Sequence, residues 1–502
     1  MPAIGAIDVG ANAIRMAVGS VDGERHLEIV ERSREAVRLG QDVFTSGVIS
    51  EETIARATDA FVKIRGVLDQ HHVVRLKAVA TSALREATNR DLFVDRIAQA
   101  SGIDLQVIGA EEEARLIHLG VAEAIDLKDK LALLIDIGGG SVEVTLVSDG
   151  QIISTGSFTI GAVRLLQVLD EKKRGERQFN QLVHEYVAAM QRRLKNEIGN
   201  QKIDLCIGTG GNIESLGDLR KGFLGKDRAS VMSADELEIL VKKLQSTSFE
   251  DRIREMGLRP DRADVIVPAA IVLQRIMKQA GVGEVVIPRV GLREGLLLDV
   301  LSDLYDQKNV LHREQVLTWA CQLGRKYAFD EQHGTTVAHL ATQLFDVTKP
   351  LHNLDGEYRL LLEVAALLHD IGQFINISKH HKHTYYLLRA TPIIGLSESQ
   401  TAIVANVARY HRKSFPKPHH SGYAVLSAKD RVVTSKLAAL LRVADAMDTE
   451  HEGRVTDFMV DYQRPKLLIR LKGEGDLLLE KWKLARKSTL FEEVFSVKVF
   501  IE

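Results

Sequence analysis

One stretch of this chain is written twice. Residues 4–33 read IGAIDVGANAIRMAVGSVDGERHLEIVERS and residues 132–158 read ALLIDIGGGSVEVTLVSDGQIISTGSF. Each is an apolar strand ending in Asp-x-Gly, a turn of small residues, a second apolar strand, a polar turn containing Asp-Gly, and a third strand. An internal repeat outranks any single motif in setting the fold. This one predicts two similar lobes that face each other, each offering one Asp-x-Gly hairpin to a shared cleft. Around the hairpins, strands alternate with helices, so the first part of the chain reads as α/β.

At 502 residues the chain exceeds one hydrophobic core. Histidine usage divides it: five of the 17 lie in residues 1–305 and twelve in 306–502, while the glycine turns concentrate in the first part. The expected organisation is therefore lobe I over 1–125, lobe II over 126–305, a helical domain over 306–455 and a small α+β cap over 456–502. The formal net charge of −2 supplies no global field for a polyanion and argues against a nucleic-acid partner. Phosphate binding, if present, must come from local clusters. Cys206 and Cys321 sit in apolar runs and read as buried thiols. No basic leader precedes the first strand and no apolar run approaches 18 residues, so a cytoplasmic chain without a membrane partner is expected.

The hairpins suit phosphate on physical grounds. Successive N–H groups in a glycine turn point the same way and form an anion nest. Gly138, Gly139 and Gly140 let the backbone approach a ligand, and Ser141 adds a hydroxyl; Gly10, Asn12 and Arg15 face them from the first turn. A third turn, Gly208-Thr209-Gly210-Gly211, closes another side, with Asn212 placed to cap the next helix. Carboxylates beside such a nest need a cation or a proton-transfer task. Asp8 and Asp136 end their strands at the turns, and Glu143 points to the same face as Ser141. Mg²⁺ or Mn²⁺ takes carboxylate and phosphate oxygens together, so one or two carboxylates suffice as protein ligands. Glu113, at the start of a helix over 111–125, can orient and deprotonate water. Taken alone, it reads as a solvated surface glutamate, because three acids at a helix start are usually solvated charge.

IDVGANAIR, ATSALREATNR, IGAEEEARLIHLGV, LLIDIGGGSVEV, IGTGGNIESL and VGLREGLLLD stand in the order seen in exopolyphosphatase and guanosine pentaphosphate phosphatase proteins, and the chain resembles that family. The family belongs to the actin, Hsp70 and sugar kinase fold group. The resemblance implies two actin-like, ribonuclease H-like lobes around a central cleft, with Glu113 as base and Asp136 and Glu143 positioning water and Mg²⁺. Asp8, Asn12, Arg15, Arg85, Gly138, Gly139, Gly140 and Ser141 would meet phosphate, with Gly210 and Gly211 on the far side. It also implies a homodimer. One departure stands out: where the family's first turn reads Asp-x-Gly-Ser-Asn-Ser, Ala11 and Ala13 replace both serines. Three activities share these groups. The first expectation is an exopolyphosphatase releasing orthophosphate from inorganic polyphosphate. The alternative is a guanosine pentaphosphate 5′-phosphatase, and the third is an ATP-dependent phosphotransferase.

The second part resembles a metal-dependent phosphohydrolase domain named for its His-Asp pair. His369-Asp370 ends an apolar helix, His333 precedes an amphipathic one, and Asp445 lies on an apolar face, where a carboxylate is costly unless paired or metal-bound. His333, His369, Asp370 and Asp445 are expected either to hold a second divalent metal or to form a structural hydrogen-bonded network. His380, His381, His383 and His411 could extend that site. Lys379, Lys382, Arg412, Lys413 and Lys417 form a basic stripe suited to a polyanion.

Overall fold

The computed structural model describes residues 2–502 apart from 24–25, 170–180, 182–184, 186–187, 189–201, 226–229, 305–307, 392 and 413. The chain forms two compact units, residues 1–309 and 310–502. Among the described residues no helix is long and apolar enough to cross a membrane.

The first unit contains two sheets. One runs β3-β2-β1-β4-β5, from β1 (Ala3–Val9), β2 (Ile14–Val21), β3 (Leu27–Glu35), β4 (Val73–Ala80) and β5 (Leu105–Val107). The other comprises β6 (Leu131–Ile137), β7 (Val142–Ser148), β8 (Gln151–Phe158), β9 (Leu205–Thr209), β10 (Val231–Ser233) and β11 (Glu284–Val286), in the order β10-β11-β9-β6-β7-β8. Setting aside the extra edge strand β10, the two orders are the same. In each, the Asp-x-Gly strand pairs antiparallel with the next strand and parallel with the strand beyond the first helical crossover. The duplicated text is thus a duplicated topology: two actin-like lobes. β1 and β6 are buried on both faces, which is why they read as near-continuous apolar runs. Each lobe has its own apolar core, one around Phe61, Phe93 and Met16, the other around Leu273, Ile276 and Met277.

The helix Ala110–Ala124 carries three acidic residues in its first turn, where the helix N-terminus favours negative charge. It packs on the helix Leu292–Leu304, which lies across β1, β2 and β4. The crossing is too tight for side chains. A Cβ on Gly295 would fall 1.8 Å from the Leu116 carbonyl oxygen, and one on Gly120 would fall 3.1 Å from the Gly291 oxygen. Arg115 locks the pair, donating to Glu112 at 2.7 and 2.8 Å and to buried Asp299 at 2.8 Å.

The second unit is mainly helical. The helices Glu331–Val347, Gly356–Leu368, Glu398–Arg409 and Ala428–Ala446 surround one apolar core. A three-stranded sheet follows, β12 (Val455–Gln463), β13 (Lys466–Gly473) and β14 (Lys498–Ile501), with two helices before the last strand. Its inner residues Val455, Leu467 and Ile469 belong to that same core.

Candidate functional site: a cleft between matching hairpins

The two hairpins meet. Gly10 N–H donates to the Ala13 oxygen at 3.1 Å and Gly138 N–H to the Ser141 oxygen at 3.0 Å, so both turns close in the same way. Position 139 has no room to spare: a Cβ there would stand 3.1 Å from the Ala11 methyl. At position 140 it would stand 2.4 Å from both Ser82 Oγ and the Phe44 ring. Glycine is required because the second hairpin seats directly against the first lobe. The cleft between them holds about 570 Å³, ample for a nucleotide-sized ligand.

Equivalent positions carry opposite charge. Across β1 and β2, Asp8 stands opposite Arg15; across β6 and β7, Asp136 stands opposite Glu143. Arg15 approaches Asp8 at 3.7 Å. Burial raises the Asp8 and Asp136 carboxyls above the usual range, opposed by Arg15 and, at Asp136, by a 2.6 Å hydrogen bond from Thr209. Glu113 is only 7% exposed, so it is not the solvated glutamate its acidic neighbours suggest. Arg85 donates to its Oε2 at 2.7 Å and stands 3.9 Å from Glu143 Oε1. Burial, then the Glu143 charge, raises the Glu113 carboxyl well above the usual range. Glu143 is pushed up to about 7 by burial and by Asp136. One arginine thus serves two buried acids.

The lobes are also tied by groups that sequence reasoning missed. Arg34 pairs with Asp261, and Arg38 donates to Asp264 at 2.7 Å. Asn12 donates to the Asp261 main-chain oxygen at 2.9 Å. Arg262 donates to Asn212 Oδ1 and flanks Gly211, where a Cβ would meet Arg262 at 2.7 Å and Arg15 at 3.0 Å. Burial and then the Arg15 charge disfavour the Arg262 cation. Two guanidinium groups held together at a cleft are an anion site. The sole signal for these residues was the charge-dense segment RPDRAD at 259–264.

Eleven expected residues line the cleft: Asp8, Gly10, Asn12, Arg15, Glu113, Asp136, Gly138, Gly139, Ser141, Gly210 and Gly211. Arg85, Gly140 and Glu143 do not. Arg85, expected at phosphate, turns onto Glu113; Gly140 is consumed by packing against Ser82; Glu143 is buried behind the opening. The Asn12 amide is likewise committed to Asp261. Asn212 does not cap its helix: Gly210 holds that position, at φ +86°, while Asn212 donates to the Ile137 oxygen at 3.1 Å. Ala11 and Ala13 are buried at 3% and 4% exposure, and a Cβ on Gly40 would lie 2.9 Å from the Ala11 methyl. A hydroxyl lost at position 11 therefore leaves an apolar packing contact.

In the second unit, His333, His369, Asp370 and Asp445 come together. The Nε2 atoms of His333 and His369 are 3.2 Å apart, and Asp445 Oδ1 stands 3.9 and 3.8 Å from them. Asp370 Oδ1 is 3.8 Å from His369 Nε2. Of the basic stripe, Lys379, Lys382 and Lys417 are exposed and Arg412 is half-buried; Lys413 lies outside the described residues.

Paired acids, an arginine pair and two facing glycine hairpins on duplicated lobes define an actin-like phosphate-handling cleft. Comparison places it further. Residues 18–304 match the Ppx/GppA phosphatase family, residues 316–492 match Ppx/GppA phosphatase domain III, and the chain belongs to this family of phosphatases. A guanosine-5′-triphosphate,3′-diphosphate pyrophosphatase of Vibrio parahaemolyticus is 26% identical over 88% of this chain and 87% of its own length. One from Vibrio vulnificus is 26% identical over 83% of each. An exopolyphosphatase crystal structure from Cytophaga hutchinsonii superposes with a TM-score of 0.56 at 29% identity, covering 60% of this chain and 98% of that one.

Proposed function

We propose that the cleft removes the terminal phosphate of guanosine pentaphosphate by hydrolysis of a phosphoanhydride, reversing the order of preference expected from sequence. The observation that carries this reading is the cleft's two-sided lining. Arg15, Arg262 and the glycine turns make one part anionophilic, while Leu219, Phe223, Met256 and Leu258 line another. A bare polyphosphate chain has no use for an apolar wall; a purine does. The relatives that match across both units carry the guanosine name. Exopolyphosphatase activity is the second reading, supported by the Cytophaga structure.

Glu113 accepts a proton from the water that attacks the terminal phosphorus. The water oxygen–phosphorus bond forms as the bridging P–O bond breaks in line, and the leaving phosphate takes the electron pair. Arg85 positions Glu113; Arg15 and Arg262 neutralise the phosphate oxygens. Such catalysis is mainly positioning and charge stabilisation. Asp136 and Glu143 fit a hard divalent cation, because Glu143 Oε2 is buried without a hydrogen-bond partner. Mg²⁺ there would supply further neutralisation of the phosphate charge.

Steady-state phosphate release from guanosine pentaphosphate and long-chain polyphosphate, measured side by side, tests the order. A higher kcat/KM for the nucleotide is expected, and Leu258→Asp should lower that value selectively. Preference for polyphosphate, with Leu258→Asp harmless, would hand the assignment to the second reading.

A further inference from the structure

The hydrogen bonds behind the second hairpin fix which way its peptides face. Three of its carbonyl oxygens are engaged by the segment that enters the helix Ala162–Leu169. Ala162 N–H donates to the Gly138 oxygen at 3.1 Å, Val163 and Arg164 to the Gly139 oxygen at 2.8 and 3.2 Å, and Gly161 to the Gly140 oxygen at 3.1 Å. A trans peptide sets its N–H opposite its carbonyl, so the N–H groups of Gly139, Gly140 and Ser141 face away from that segment. Gly139 and Ser141 line the cleft. Position 161 must be glycine for this backing to fit, because a Cβ there would fall 2.4 Å from the Gly139 carbonyl.

From that segment Arg164 crosses to the other lobe. Its Nε donates to the Gly140 oxygen at 3.2 Å, and its Nη2 donates to both carboxylate oxygens of Glu86, 78 positions away. The guanidinium also lies 4.2 Å from the centroid of the Phe44 ring, within cation–π reach. Glu86 ends the short helix Ser82–Glu86, which meets the site three times. Ser82 closes on Gly140, Arg85 donates to Glu113 at 2.7 Å, and Glu86 takes Arg164. Arg85 and Glu86 are consecutive on one helical turn, so a shift of Glu86 moves the guanidinium that holds Glu113. The first lobe repeats the device. The Arg38 and Gly40 amides donate to the Asn12 and Ala11 oxygens at 3.1 and 2.7 Å, and the Arg38 side chain crosses to Asp264 at 2.7 Å.

We infer that Arg164 and Glu86 are positioning residues for the hydrolysis, a clasp through which the second glycine hairpin sets the orientation of Glu113. Neither touches the reacting atoms. Arg164 pins the Gly140 carbonyl from behind, and Glu86 carries that position into the helix of Arg85. This role rests on the cleft being the hydrolytic site with Glu113 as base, and it adds the pair that keeps phosphate and base in register.

Arg164→Met keeps an apolar stem for Phe44 and removes the guanidinium; Glu86→Gln keeps the shape and removes the charge. Steady-state phosphate release from guanosine pentaphosphate and from polyphosphate is measured for the unmodified full-length chain, each variant and the double variant, with circular dichroism as the check on folding. Each single change should lower kcat about tenfold with KM within about twofold, since displacing a catalytic group by about 1 Å costs up to ~10²-fold. The double variant should be no slower than the slower single, because side chains that act as one unit are not additive. Unchanged kcat in folded variants, even with a lower melting temperature, would overturn the clasp while leaving the cleft reading intact. Losses that multiply in the double variant would overturn it too. Glu86 is exposed, so Glu86→Gln decides the matter by itself should Arg164→Met not fold. No phosphate release from either compound by the unmodified chain would instead sink the cleft reading, and the positioning role with it.

Discussion

Glu113 and Glu143 share one cation, Arg85, which only partly offsets the burial of either carboxyl. Both carboxyls are raised by burial, Glu143 to about 7. An acid with a raised pKa stays protonated further up the pH scale, so the carboxylate that can take a proton from water accumulates only above the ordinary carboxylate range. The expected kcat/KM profile therefore rises with pH, its acid limb displaced above that range; a profile flat from pH ~5 to ~9 would exclude the pair from the chemistry. Arg85→Gln removes the charge that opposes the rise, and its acid limb should move to higher pH. Glu113→Gln should cut kcat by ~10²-fold or more with KM little changed, as measured by steady-state phosphate release. The acids, glycines and Arg15 were legible because each lies in a short motif at a strand end or helix start. Arg34, Asp261 and Arg262 were not, because their partners are remote in sequence, 227 positions apart for Arg34 and Asp261 and 50 for Arg262 and Asn212. Arg85 and Asn12 were legible as site residues but not in their partners, since a motif does not say which neighbour a side chain turns to.

At the scale of elements, Glu113 stands on a helix held by glycine contact. Gly295 lies under the Leu116 carbonyl, and the added methyl of Gly295→Ala cannot be absorbed by a side-chain rotation. Overpacking of this kind costs about 1–3 kcal/mol. The Gly295→Ala chain should melt at lower temperature in calorimetry, and its kcat should fall more than its affinity for substrate, because the Ala110–Ala124 helix moves with Glu113. The repeat revealed the duplicated lobes because alternating apolar strands and Asp-Gly turns recur in order. Helix crossings left no such trace: VGLREGLLLD shows an apolar helix, not the partner whose backbone its glycine admits.

At the scale of the molecule, each unit has apolar cores of its own. Pyrophosphate should raise the calorimetric transition of the first unit and leave that of the second in place, by mass action on the folded state it binds. Two transitions raised equally would contradict this. The closing of His380 and His411 on Asp370 required coordinates, because their spacing does not say which neighbour each ring meets. The Asp8–Arg15 and Asp136–Glu143 crossings carry one last consequence. Had both copies of the hairpin kept the same partner, the crevice would be its own mirror in charge and could accept a chain of phosphates in either sense. With Arg15 beside Asp8 at one crossing and only acids at the other, the crevice is unevenly charged, so the end to be cut should enter with a fixed heading, even when the molecule offers identical ends.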